Sequence, residues 1–206
     1  SFIFFSRNDP KRNTFERFIP TIACQIAIAI PEIRPRIEFV IESNPTIFDK
    51  SLATQFKSLI IHPLKDLITS GFFSNPDTGP RLIIIDGLDE CVDPKAQNMI
   101  LRVLADALRA DKLPLVFLIA SRPEQQIQLT FNSPSLAGLW KSLVLDDTYK
   151  PDNDIRTFLV DSFQEIKSTH PHHQYIPSNW PSNSNIAHLI KKSSGQFIYA
   201  SIVIKY

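Results

Sequence analysis

Four large aliphatic residues in an unbroken row, Leu82, Ile83, Ile84 and Ile85, constrain this chain more than any other feature. A strand with one wet face alternates apolar and polar side chains. A row without alternation predicts a short parallel strand buried on both faces. Acid follows at once: Asp86, Asp89 and Glu90 fall on the turn past the strand's carboxyl end, where open α/β sheets bind their ligands. Three carboxylates in that position form a site for a hard cation, and through the cation for phosphate.

The segments on either side repeat the logic. Ser1 to Ser6 reads as a strand, ended by the polar turn Arg7-Asn8-Asp9-Pro10,. Asn13 can cap a helix with Glu16 three residues on, and Phe15, Phe18, Ile19, Ile22, Ala23, Ile26, Ala27 and Ile30 give it an apolar face,. Pro20 falls inside that pattern and predicts a kink. A second amphipathic segment carries Ile33, Ile37, Val40 and Ile41, and a third runs from about Ser51 to Ser70 with Gly71 as its C-terminal cap,. Gly71 to Pro80 is a loop by composition,. Beyond the acidic turn, Asp93 caps a helix with Pro94 in its first turn and a stripe of Ile100, Val103, Leu104, Ala107 and Leu108,. Leu113 to Ala120 is a second near-continuous apolar strand closing on Ser121-Arg122-Pro123-Glu124, and Ser142 to Leu145 reads as a third, followed by Asp146-Asp147. From Pro151 onward the pattern is helical only. Strands alternating with helices predict a mainly parallel sheet covered on both faces, followed by a small all-helical segment.

Composition narrows the function. A net charge of +1 leaves no basic excess to track a phosphate backbone, so no nucleic-acid partner is expected,. Cys24 and Cys91 form no C-x-x-C pair and read as reduced, cytosolic thiols,. No apolar run approaches the roughly 18 residues of a spanning helix, so no membrane partner is expected either. The first residue is Ser and the chain opens inside an apolar run, which suggests a part of something longer. His170-Pro171-His172-His173 reads as a solvated loop, and Arg7, just past the first strand, could face a nucleotide but reads first as a surface charge,.

RLIIIDGLDEC, an apolar strand closing on ASRPE, and a helical tail containing SSGQFIYAS together resemble the NACHT branch of the STAND class of P-loop NTPases, in its fungal NOD-like-receptor form. The openings SFIFFSR and TIACQIAIAIPEI extend the resemblance over nearly the whole chain. It implies a P-loop NTPase-like sheet flanked by helices, with residues 1–150 as a nucleotide-binding core and 151–206 as the start of a helical subdomain. It implies that Asp86 holds Mg²⁺, that Gly87 leaves room for the metal's water shell, that Glu90 is the base with Asp89 as its helper, and that Arg122 reads the γ-phosphate of ATP or GTP. The implied setting is a cytoplasmic receptor of innate-immunity type. Nucleotide state would govern homo-oligomerisation there, alongside an N-terminal effector and C-terminal repeats of the same polypeptide.

The phosphate cradle of such proteins, G-x-x-x-x-G-K-S/T, is not in this sequence: none of Gly71, Gly79, Gly87, Gly138 and Gly195 stands in that frame. Each hydrogen bond to a charged phosphate oxygen is worth about 1.5 to 3 kcal/mol. A micromolar affinity totals only about 8 kcal/mol, so residues 1–206 alone are expected to bind nucleotide very weakly. With the cradle goes the strand that the resembling folds place between those at Leu113 and Ser142, which predicts unpaired edges and marginal stability. Two other readings stand beside the switch. One is a non-catalytic NACHT remnant acting as a protein-binding surface. The other is a Mg²⁺-dependent phosphohydrolase of the haloacid dehalogenase type, which lacks its Asp-x-Asp because position 88 is Leu.

Overall fold

Among the described residues three short strands, Phe2–Phe4 (β1), Arg81–Asp86 (β2) and Leu115–Ile119 (β3), pair in the order β1-β2-β3, all parallel. The computed structural model describes residues 1–74, 81–111, 113–145 and 149–206. The chain divides into two compact units, Ser1–Lys141 and Ser142–Tyr206. All three strands lie in the first.

The register sets which side chains share a face. Phe2 pairs with Ile84 and Phe4 with Asp86, while Leu82 pairs with Val116 and Ile84 with Leu118. Because side chains alternate along a strand, Ile3, Ile83, Ile85 and Leu115 share one face. Phe2, Phe4, Leu82, Ile84, Val116 and Leu118 share the other. The first face is the core: Ile83 and Ile85 are 0% exposed, packed with helical residues including Ile19, Ile22, Phe56, Leu59, Leu64 and Ile100. Among the described residues the second face is bare, with Phe2 49%, Leu82 46%, Val116 51% and Leu118 52% exposed. A sheet covered on both faces is therefore corrected to one covered on one face. The reason is topological: with right-handed crossovers, a chain advancing steadily from β1 to β3 leaves every intervening helix on the same side.

The covering helices follow their sequence signals with local changes. Phe18–Ala29 (α1) starts later than the Asn13 cap predicts, with Arg17 at its N-cap and no side-chain cap. Asn13 instead bridges turns: its side chain donates to the Arg7 carbonyl at 3.4 Å, and its own carbonyl accepts from Val92 N–H at 2.8 Å. Pro20 consequently sits in the first turn of α1, where a missing N–H leaves no gap, so it starts the helix rather than kinking it. Arg34–Ser43 (α2) follows a short 3₁₀ turn. Leu52–Phe56 (α3) is capped by the Ser51 hydroxyl and runs through a π-helical turn, Lys57–Ile61, into His62–Thr69 (α4). The widened turn precedes Pro63, which has no N–H to return to the carbonyl four residues back. Gly71 closes α4 at φ 81°. Of the expected loop, residues 75–80 lie outside the described residues. Pro94–Asp111 (α5) opens as predicted on Asp93, whose carboxylate accepts from Lys95 N–H at 2.9 Å. Gln125–Phe131 (α6) follows β3.

Ser142 to Leu145 is not a strand. Leu143, Val144 and Leu145 are 71%, 66% and 80% exposed in irregular chain, because an apolar run becomes a strand only beside a ladder partner, and no described strand pairs with it. The expected Asp146-Asp147 lies outside the described residues. The second unit consists of Pro151–Thr169 (α7), Asn183–Ser193 (α8) and Phe197–Lys205 (α9). It has its own core of Ile155, Leu159, Phe163, Ile186, Ile190 and Ala200. Gly195, at φ 75°, separates α8 from α9. Among the described residues no helix is long and apolar enough to cross a membrane.

Candidate functional site

Parallel pairing brings the carboxyl ends of β1, β2 and β3 side by side, and the turn after each contributes charge. β1 leads into Arg7, β2 into Asp86, Gly87, Asp89 and Glu90, and β3 into Ser121, Arg122 and Glu124. The turn after β2 is held tightly. Gly87 has φ 71°, and its N–H and that of Leu88 both donate to the Ala120 carbonyl, at 3.0 and 3.2 Å. A side chain at position 87 would bring its Cβ to 3.0 Å from the Phe5 carbonyl oxygen. Glycine is thus required twice, for the left-handed backbone and for the close approach of β1. The room left by Gly87 is occupied by Phe5's backbone.

The three acids have different surroundings. Asp89 is 3% exposed and turns toward β3. Its Oδ1 accepts from Arg122 N–H at 2.9 Å and from the Ser121 hydroxyl at 3.4 Å, and its Oδ2 lies 3.7 Å from Arg122 Nε. Glu90 turns toward β1, with Oε2 accepting from Arg7 N–H at 3.0 Å. Asp86 shares the bare face with Phe4 by register, and among the described residues its carboxylate makes no hydrogen bond or ion pair. Each acid therefore points to a different strand end, and among the described residues no group of three His, Cys, Asp or Glu side chains gathers into a metal-holding cluster. One free carboxylate at Asp86 fits a cation held mainly by water and phosphate. It does not fit an all-protein cage.

Arg122 is where the sequence placed it, at the end of β3. Its backbone is fixed by Asp89 while its side chain is 78% exposed. Arg7, read from sequence as a surface charge, is part of the site. Its Nη2 donates to the Asp89 carbonyl at 2.8 Å and lies 3.6 Å from Glu124 Oε1. Nothing in the sequence marks Glu124, Gln126 or Gln97 as site residues. Gln126 Nε2 donates to Glu124 Oε2 at 2.7 Å and to Gln97 Oε1 at 3.2 Å, and Gln97 Nε2 donates to the Cys91 carbonyl at 2.7 Å. The available signal was positional: Arg7 and Glu124 stand on the turns that leave β1 and β3, as the acids do for β2. Cys91, within this turn, is buried, and burial pushes its thiol up from the ordinary value,.

Residues 1–122 match the family described as Nephrocystin 3, N-terminal. This is more than half of the chain. The chain belongs to that family. The match spans all three strands and the acidic turn and ends on Arg122, so the Nephrocystin 3 N-terminal region carries the whole site except Glu124 and Gln126. Neither the curated proteins nor the solved structures contain a match to it.

Proposed function

We propose that this Nephrocystin 3 N-terminal region is part of a nucleotide-dependent signalling switch of the NACHT and STAND type, in which Mg²⁺ and ATP or GTP bind at the strand ends and set domain packing and oligomerisation. The observation that carries the reading is the free Asp86 carboxylate on the middle strand, flanked by exposed guanidinium groups from the turns after β1 and β3. Asp86 would hold Mg²⁺, which when bound supplies charge neutralisation for the phosphates. Glu90, fixed through one carboxylate oxygen by Arg7 N–H, would orient a water. Asp89, which accepts from Arg122 N–H, would help by anchoring the turn on which Glu90 stands. Residues 1–150 would form the nucleotide core and 151–206 the start of a helical subdomain, in a cytoplasmic receptor.

The sheet supports the P-loop form of this reading. The outward N–H and C=O groups of Leu115, Phe117 and Ile119 have no partner among the described residues. A strand added on that edge and connected back to β1 would run against the β1-to-β3 direction. Its right-handed crossover would then lay a helix on the bare face. A phosphate cradle between that strand and helix would open beside the turn after β3, across β3's end from Asp86. The test is calorimetric titration of Mg-ATP into the full-length polypeptide and its Asp86→Ala form. Micromolar binding that weakens at least about tenfold in the variant, with an unchanged melt, is the expected result. Absence of binding to the unmodified full-length protein would overturn the reading. A second reading, a non-catalytic interaction module, is favoured by the bare apolar face of Phe2, Phe4, Leu82, Val116 and Leu118,. It predicts partner binding that Asp86→Ala leaves intact.

A further inference from the structure

Arg7 is joined to the site in two separable ways. Its backbone N–H holds Glu90 Oε2 at 3.0 Å, which fixes the chain after β1 whatever the side chain does. Its guanidinium spends one nitrogen, Nη2, on the Asp89 carbonyl at 2.8 Å and on Glu124 Oε1 at 3.6 Å. The remaining Nε and Nη1 donors have no partner among the described residues, and the side chain is 56% exposed. Guanidinium groups pair with phosphate in fork geometry, and an exposed single-nitrogen contact with a carboxylate is a weak competitor.

The groups that Arg7 would leave behind are already provided for. Glu124 keeps its bond from Gln126, and the Asp89 carbonyl keeps a longer one, 3.4 Å, from Gln97. Withdrawing the guanidinium therefore strands no buried charge. It does uncouple β1 from the turn after β3, because Glu124 is the only carboxylate within salt-bridge distance of Arg7 among the described residues. We infer that Arg7 is an anion-reading residue of this site, parked on Glu124 and the Asp89 carbonyl until a nucleotide phosphate draws it away, so that phosphate occupancy is relayed to the turn before α6. This inference rests on the nucleotide reading above.

A mutant cycle on the full-length polypeptide, with Mg-ATP as the titrant, tests it. Glu124→Gln removes the competing charge and is expected to tighten Mg-ATP binding about threefold in the presence of Arg7, while Arg7→Ala weakens binding about tenfold and makes Glu124→Gln silent. Arg7→Lys, which keeps the charge without the fork, should fall between the two and carries the same cycle should the alanine form fail to fold. Hydrogen exchange at residues 122–126 should rise on Mg-ATP binding in the parent and not in Arg7→Ala. If the parent binds Mg-ATP but Glu124→Gln has the same effect with and without Arg7, the inference is overturned and the nucleotide reading stands. If the parent does not bind Mg-ATP, both are overturned.

Discussion

The two edges of the sheet are finished differently. At the β1 edge, Gln25 of α1 acts as a substitute strand: its Oε1 accepts from Phe2 N–H at 2.6 Å and its Nε2 donates to the Phe2 carbonyl at 2.8 Å. At the β3 edge nothing among the described residues does the same for Leu115, Phe117 or Ile119. The two faces differ in parallel, one sealed by helices and one bare. An open edge is a liability that stable sheets blunt. A sheet that caps one edge at Phe2 through a single dedicated side chain and leaves the other open is partly finished on the first side only. The site lies on this boundary, because Asp86 emerges on the bare face while Asp89 is buried.

The largest effect comes from attacking the finished side. Ile85 is fully buried on the core face, so Ile85→Ala should cost about 2 to 5 kcal/mol in chemical denaturation. A loss under about 1 kcal/mol would mean that the helical face is as loosely packed as the bare one. Next is Asp89→Ala. It strands the Arg122 N–H that Asp89 now accepts, and should destabilise by about 1 to 3 kcal/mol. Asp86→Ala, which breaks no bond within the described residues, should leave the same denaturation midpoint within about 0.5 kcal/mol. Equal losses from the two would remove the distinction between anchor and free ligand on which the proposed function depends.

Gln25→Ala tests the capped edge directly. Two hydrogen bonds to an exposed strand disappear, at a cost of about 1 kcal/mol. The more telling readout is exchange of the Phe2 amide, which should become as fast as those of Leu115 and Phe117. Persistent protection of Phe2 in the variant would show that something other than Gln25 closes that edge.

These contrasts also show what the sequence could and could not disclose. β2 was legible because four aliphatics followed by acid have few other uses, and α5 because Asp93 and Pro94 mark its start in purely local terms. The start of α1 was not: Asn13 and Glu16 have the spacing of a capping pair, yet Asn13 is claimed by Arg7 and Val92. That competition is tertiary and invisible to a local rule. The same holds for Ser142 to Leu145, apolar enough for a strand but without a ladder partner. In the site, residue types and strand ends were readable, whereas orientation was not. Asp89 and Glu90 are adjacent and chemically similar, but one is bound by the turn after β3 and the other by the turn after β1. Arg7 could be read only as a surface charge with a second possibility of facing a nucleotide, because a lone arginine past a strand has no pattern, and only parallel pairing of β1 with β2 makes it a neighbour of the acids.

The smallest effect is the most discriminating for the bare face. Leu118 is 52% exposed, so Leu118→Ser removes little buried apolar area and should shift the stability of residues 1–206 by no more than about 0.5 kcal/mol. In any longer polypeptide that lays a helix across this face, the same leucine would be buried, and the same substitution should then cost about 1.5 to 3 kcal/mol. The difference between the two measurements isolates the covering element, because the substitution and its neighbours on β3 are identical in both. A near-zero cost in both contexts would mean that no helix covers this face. The apolar row of β3 would then have to be explained by an intermolecular partner, whose binding Leu118→Ser should weaken.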